Sequence, residues 1–156
     1  MGFVATPGLP PSHRVVELGA LALARLSHRG GLDADGISGD GAGLLVQVPR
    51  RLFGPGVAVA VLFEWDERAR AVLEGAIAAH GMRLVDWRRP RLDPAALGER
   101  ARGSMPGIWY AVIERPDSSE EQWEELLFRA RRLAEREGER EGIRMYVPSC
   151  SCRTVV

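Results

Sequence analysis

An α+β fold is predicted for this chain, and three observations predict it. Residues 57–147 alternate short apolar runs with amphipathic helical stripes in the order βαβ–βαβ. A mostly apolar helix precedes them, and an extended stretch closes the chain. With 156 residues, of which 46% are hydrophobic and 27% charged, the chain has the size and composition of one globular domain, which buries roughly 70% of its unfolded surface. The βαβ–βαβ order is that of a split-βαβ, ferredoxin-like module, a βαββαβ segment. Its halves share no obvious sequence, so it is not a repeat.

The first element, Gly2-Phe3-Val4-Ala5, reads as a short strand, followed by a turn through Pro7, Gly8, Pro10 and Pro11. Ser12 suits the N-cap of a helix running to about Ser27. Its apolar residues, from Val15 to Leu26, go most of the way round, the pattern of a buried helix. Gly30-Gly31 can end that helix. A Gly/Asp-rich stretch then leads into the strand Leu44–Val48, closed by Pro49. Val57–Phe63 is apolar throughout, as expected of a strand covered on both faces. Asp66 opens a helix whose stripe Ala69, Val72, Leu73, Ala76, Ile77 and His80 fits the i, i+3, i+4, i+7 template, with Gly81 as its stop. Met82–Trp87 is a second strand. A Pro/Gly linker follows, with room for one short helix near Asp93. Ile108–Glu114 is a strand, and Ser118 with Glu121 makes a capping box for the next helix. That helix buries Trp123, Leu126, Leu127, Ala130, Leu133 and Ala134, and carries a Glu125–Arg129 pair. Ile143–Val147 is the strand that completes the segment, and Cys150–Val156 is extended. One sheet with both helices on one face is expected over 57–147.

The 21 basic and 21 acidic side chains cancel, so no global field steers the chain toward nucleic acid. No apolar run approaches the roughly 20 residues of a membrane span. Two cysteines and no N-terminal apolar core predict a reduced, cytoplasmic protein. Lys is absent, which excludes Schiff-base, P-loop and kinase-type chemistry from this chain alone. Asn is absent too, which removes a frequent oxyanion-hole donor.

Gly39-Asp40-Gly41-Ala42-Gly43 invites comparison with a phosphate loop, but no GK[ST] follows and the next element is a strand. A tight turn needing small residues fits better. His13, His28 and His80 are scattered without metal-ligand spacing, so no metal site is predicted. Cys150 and Cys152, two apart on an extended segment, face the same way. They lack the CxxC spacing at a helix N-terminus that activates a thiol, and read as small packed residues. His28-Arg29-Gly30 with Asp33 and Asp35 is either a basic helix end with a glycine stop or part of a site.

The longer run, Leu26 through Leu45, changes the balance between those two. Leu26-Ser27-His28-Arg29-Gly30-Gly31 followed by Ala34-Asp35-Gly36-Ile37-Ser38-Gly39-Asp40-Gly41-Ala42-Gly43-Leu44-Leu45 resembles the "EHRGA…ADG.TGDGAGIL" signature of the glutamate synthase large subunit, in its class II glutamine amidotransferase domain. Pro11-Ser12-His13, Gln47-Val48-Pro49, the linker Leu97-Gly98 through Met105-Pro106, and Tyr146-Val147-Pro148-Ser149-Cys150-Ser151-Cys152-Arg153-Thr154-Val155-Val156 are similar as well. The resemblance therefore covers essentially the whole chain.

That resemblance implies a partial Ntn-type αββα amidotransferase (an α/β sandwich), with residues 1–53 and 148–156 as host and 54–147 as the inserted ferredoxin-like βαββαβ segment. It implies a terminal cysteine thiolate that attacks the glutamine amide, with the terminal amine as base. The released ammonia then serves glutamate synthesis from 2-oxoglutarate. FMN and an iron–sulfur cluster belong to partner synthase domains, and no cofactor is expected in this chain. The family's nucleophile lies in "CGVGF", and Met1-Gly2-Phe3 aligns with its last three letters, with Met1 where the family has Val. No catalytic residue is therefore assigned, and an upstream start that supplies the Cys is expected. Cys150 and Cys152 match serine-like family positions. Arg29 and Gly30 are expected beside the nucleophile position, in a structural role that orders the loop. The expected partners are the remaining glutamate synthase domains or subunits, with self-association through apolar surface and an exposed edge near Val155-Val156. The alternative functions are a non-catalytic regulatory or interaction module using the ferredoxin-like segment, and a truncated reading frame without activity.

Overall fold

A computed structural model describes all residues except 1, 6, 7, 9, 11, 27–29 and 40. The chain forms two compact units, one of residues 1–44 with 93–105, the other of 45–92 with 106–156.

The first unit holds helix α1 (His13–Arg25), the loop through residue 44, a 3-10 turn (Pro94–Ala96) and the short helix α4 (Glu99–Ser104). The Ser12 hydroxyl accepts from the Arg14 N–H and caps α1 as its sequence predicts. Gly19 lets Leu44 close on the helix, since a Cβ there would lie 3.0 Å from the Leu44 Cδ2. The expected burial of α1 is corrected: none of its residues is buried. An all-round apolar helix needs cover on two sides, and no sheet is described within this unit. The expected strand at residues 2–5 is also absent. Nothing described pairs with that stretch, and Phe3 is 93% exposed. The linker carries two short helical pieces rather than one. Asp93 caps the first by accepting from the Ala95 N–H.

The second unit contains β1 (Val46–Gln47), α2 (Arg50–Phe53), β2 (Val57–Glu64), α3 (Arg68–Ala79), β3 (Leu84–Arg88), β4 (Gly107–Glu114), α5 (Glu120–Arg140), β5 (Met145–Ser151) and β6 (Thr154–Val155). Four strands form an antiparallel sheet in the order β3-β4-β2-β5, and β1 pairs antiparallel with β6, from the chain's end, in a separate two-stranded sheet. Side chains alternate across β2 and give its two faces to two cores. Ala58, Ala60 and Leu62 join Leu73 and Ile77 of α3 and Trp123, Leu127 and Ala134 of α5 in one core, so both helices share one face. Val59 and Val61 join Val48, Phe53, Val112 and Val155 in the other. This double cover is why β2 is apolar without alternation.

Several boundaries move. The N-cap of α5 is Ser119 rather than Ser118, with Gln122 rather than Glu121 completing the capping box. β5 runs on to Ser151, and a register shift opposite Val61–Phe63 takes up Pro148 in this edge strand. The stretch from Cys150 to the end is broken by a turn at 152–153. The exposed edge expected at Val155-Val156 is half corrected, because Val155 pairs with Val46 and is 5% exposed. The Arg50 guanidinium donates to the Val57 and Cys152 carbonyls at 2.5 and 2.6 Å, which ties the start of β2 to the end of β5. No described helix is long and apolar enough to cross a membrane.

Candidate amidotransferase loop

The signature residues lie on the loop of the first unit, and a compact set of polar contacts folds it. Leu32 bridges Gly39 in antiparallel fashion. The Asp33 N–H donates to the Ser38 carbonyl at 2.7 Å, and the Gly36 N–H donates to the Asp33 carbonyl at 2.9 Å. Gly36 takes φ +68°, a backbone that favours glycine. Inside the turn, Asp35 Oδ1 accepts from the Ile37 and Ser38 N–H groups at 3.0 and 2.7 Å. Its Oδ2 accepts from the Ser38 hydroxyl at 2.5 Å.

Residues 98–101 close this turn from a distant part of the sequence. The Ser38 hydroxyl, on a residue only 7% exposed, accepts from the Ala101 N–H at 3.1 Å. Arg100 Nη1 donates to Asp33 Oδ1 at 2.7 Å. Gly98 is buried against the turn, and a Cβ on it would lie 2.4 Å from Ser38 Oγ and 2.8 Å from Ser38 N. Asp35 consequently has its carboxyl lowered from 3.8 to about 2, first by the Ser38 hydroxyl and then by the Ile37 and Ser38 N–H groups. It remains an ionised acceptor at neutral pH. This arrangement fixes a loop and moves no proton.

Of the two residues the sequence places beside a nucleophile, Gly30 lies in an exposed bend, and Arg29, like His28, lies outside the described residues. The reach of Asp33, Asp35 and Ser38 to Gly98, Arg100 and Ala101 is not evident from the loop sequence. The signal available for it is the family-like Leu97–Pro106 stretch. Gly41 takes φ +76°, and the next described element is the strand β1, so the glycines do not lead into a phosphate-binding helix.

The two cysteines lie in the second unit, in and after β5. Cys152 is buried, Cys150 is half-buried, and both abut the core beneath α3 and α5. Glu124 Oε1 accepts from the Ser151 hydroxyl and the Cys152 N–H at 2.8 and 2.7 Å, which puts a carboxylate beside both thiols. Both thiols are pushed from 9.0 up to about 12, by burial first and by Glu124 next. Such thiols are protonated at neutral pH and poor nucleophiles. His80 Nδ1 is engaged with the Ala76 carbonyl at 2.9 Å. Among the described residues, no group of three His, Cys, Asp or Glu side chains could hold a metal ion.

A loop held by backbone turns and small residues, joined to an antiparallel α/β architecture, fits the amidotransferase signature it carries. The chain belongs to the class-II glutamine amidotransferases, whose family model matches residues 1–156. Among individual proteins it is similar to glutamate synthases. It is 31% identical to the large chain of the NADPH glutamate synthase of Azospirillum brasilense, with 100% of this chain and 12% of that protein aligned. It is 32% identical to the ferredoxin-dependent glutamate synthase 1 of Arabidopsis thaliana, with 100% of this chain and 11% of that protein aligned. The large chain from Bacillus subtilis is 31% identical over 93% of this chain and 11% of its own length. The chain thus spans about a tenth of the length of these relatives.

Proposed function

We propose that this chain serves as the N-terminal part of the glutamine amidotransferase domain of a glutamate synthase, acting in glutamine-dependent glutamate biosynthesis together with the remaining synthase domains. The observation that carries this is the alignment of the whole chain both to the class-II amidotransferase family and to glutamate synthases. In this reading a cysteine thiolate of the assembled enzyme attacks the glutamine amide, and the released ammonia is used to convert 2-oxoglutarate to glutamate. Neither Cys150 nor Cys152 is that thiolate, because burial and Glu124 keep both protonated. Arg29 and Gly30 stand beside the nucleophile and order its loop.

The host part, 1–53 with 148–156, is proposed as a portion of an Ntn-type αββα sandwich, and 54–147 as an inserted ferredoxin-like βαββαβ segment. The antiparallel β3-β4-β2-β5 order, with α3 and α5 on one face, supports the second assignment. FMN and the iron–sulfur cluster are assigned to partner domains. An iron–sulfur cluster takes four Cys, or two Cys with two His, whereas among the described residues no three His, Cys, Asp or Glu side chains group together to hold a metal, and the glycine run is followed by a strand rather than a phosphate-binding helix. A pull-down from the source cell tests the assignment. Recovery of the remaining synthase domains together with glutamine-dependent glutamate formation is expected. A chain recovered without them, and without effect on that activity when deleted, overturns it.

A further inference from the structure

The loop that carries Gly30 is held from outside its own sequence, and the hold can be followed atom by atom. Gly98 packs where any Cβ would strike the Ser38 backbone nitrogen at 2.8 Å, so the fit there leaves room for glycine only. The Ala101 N–H and the Arg100 guanidinium fasten Ser38 and Asp33. Asp33 and Ser38 are joined to each other through the backbone. The next residue, Gly39, lies so near the Gly31 carbonyl that a Cβ on it would be 3.0 Å from that oxygen. The contacts therefore run without a gap from Gly98 to the residue adjoining Gly30, all within one compact unit.

Resting on the amidotransferase reading above, we propose that Gly98, Arg100 and the backbone N–H of Ala101 are positioning residues for glutamine hydrolysis: they lock the Asp33–Ser38 turn and thereby set the backbone of Gly30 beside the nucleophile. These residues touch neither substrate nor reacting atoms. They lie in the connection between β3 and β4, so the segment proposed as an insertion supplies the brace for the host's loop. Gly98 acts by shape and tolerates no side chain. Arg100 acts through an exposed ion pair with Asp33 and contributes less.

Two readouts test this. On the chain itself, amide hydrogen exchange is followed in wild type, Gly98→Ala, Arg100→Ala and Arg100→Lys. Gly98→Ala is expected to speed exchange at Asp33, Gly36 and Ser38 at least tenfold while leaving β2 and β4 unchanged. Arg100→Ala gives a smaller increase, which Arg100→Lys largely reverses. In the enzyme assembled with the remaining synthase domains, kcat for glutamine hydrolysis by Gly98→Ala falls at least tenfold, with KM within threefold of wild type. Unchanged exchange in Gly98→Ala overturns the brace. A loosened turn with undiminished kcat overturns the positioning role. A wild-type assembly without glutamine hydrolysis overturns the amidotransferase reading and the positioning role with it, and the exchange data then decide the brace alone.

Discussion

Alkylation of the two cysteines puts the site assignment at risk in a single measurement. Both thiols are raised from 9.0 to about 12. At pH 8 a thiol at its ordinary value is about one-tenth thiolate, whereas one at about 12 is roughly one ten-thousandth thiolate, a thousandfold difference. The thiolate of a weaker acid is the better nucleophile, and with a Brønsted coefficient of about 0.4–0.5 this returns a little over one decade. The net expectation is that Cys150 and Cys152 react about 40-fold more slowly with iodoacetamide than a free thiol, before steric cost is added. Time-resolved alkylation read by peptide mass spectrometry, with a urea-unfolded sample as reference, makes the comparison directly. Glu124→Gln should speed both sites without bringing them to the unfolded rate, because burial is the larger cause and remains. The sign also sets a pH dependence. A thiol raised in the fold contributes its full stability below the unfolded value near 8.5–9 and loses it progressively as pH rises toward about 12. Equal rates in folded and unfolded chain at pH 8 would refute the reasoning and return both cysteines to the list of candidate nucleophiles.

The isolated chain should release no ammonia from glutamine above background, and a Cys150→Ser/Cys152→Ser double variant should be indistinguishable from it. Turnover lost in that variant contradicts the assignment. Leu127, fully buried between α5 and the sheet, should cost about 3 kcal/mol when changed to Ala, read as a lower urea midpoint with unchanged slope. Asp35 is depressed to about 2, so its contribution to the turn is complete above pH 4 and lost as pH falls through 2. Exchange at Ser38 should rise over that window while β4 stays protected. Phe3, Leu32, Ile37 and Leu45 are each more than 60% exposed, and sedimentation should show concentration-dependent dimers or larger species. A monodisperse monomer at high concentration is the contrary result.

The parts of this fold that the sequence reveals are those where one physical signal dominates. β2 is legible because an unbroken apolar run has few uses other than a doubly covered strand. The stripes of α3 and α5 are legible because their periods leave one face to bury. The start of α5 is degenerate instead. Ser118 and Ser119 each have a partner three residues on, Glu121 and Gln122, and nothing local chooses between them. α1 shows a different limit, since periodicity reports an apolar surface and says nothing of what covers it. At the site, Asp33 and Asp35 stand out in the sequence. Gly98 and Ala101, which meet the turn at Asp35 and Ser38, do not, because a missing Cβ and a backbone N–H carry no residue-type signal across more than 60 positions.

Arg50 holds the Val57 and Cys152 carbonyls on one guanidinium, with residues 58–151 between them. Left to an unstructured chain, bringing the ends of a loop of that length together would cost about 4 kcal/mol in entropy by the logarithmic length dependence alone. Here the sheet itself closes the loop, since β2 and β5 are paired neighbours and the start of one lies against the end of the other. Seen from Arg50, nearly a hundred residues shrink to a bridge a few ångströms wide. Lengthening or shortening the connections inside that span, at 65–67 or 115–118, leaves the bridge where it is. A change in β2 or β5 pulls its two abutments apart.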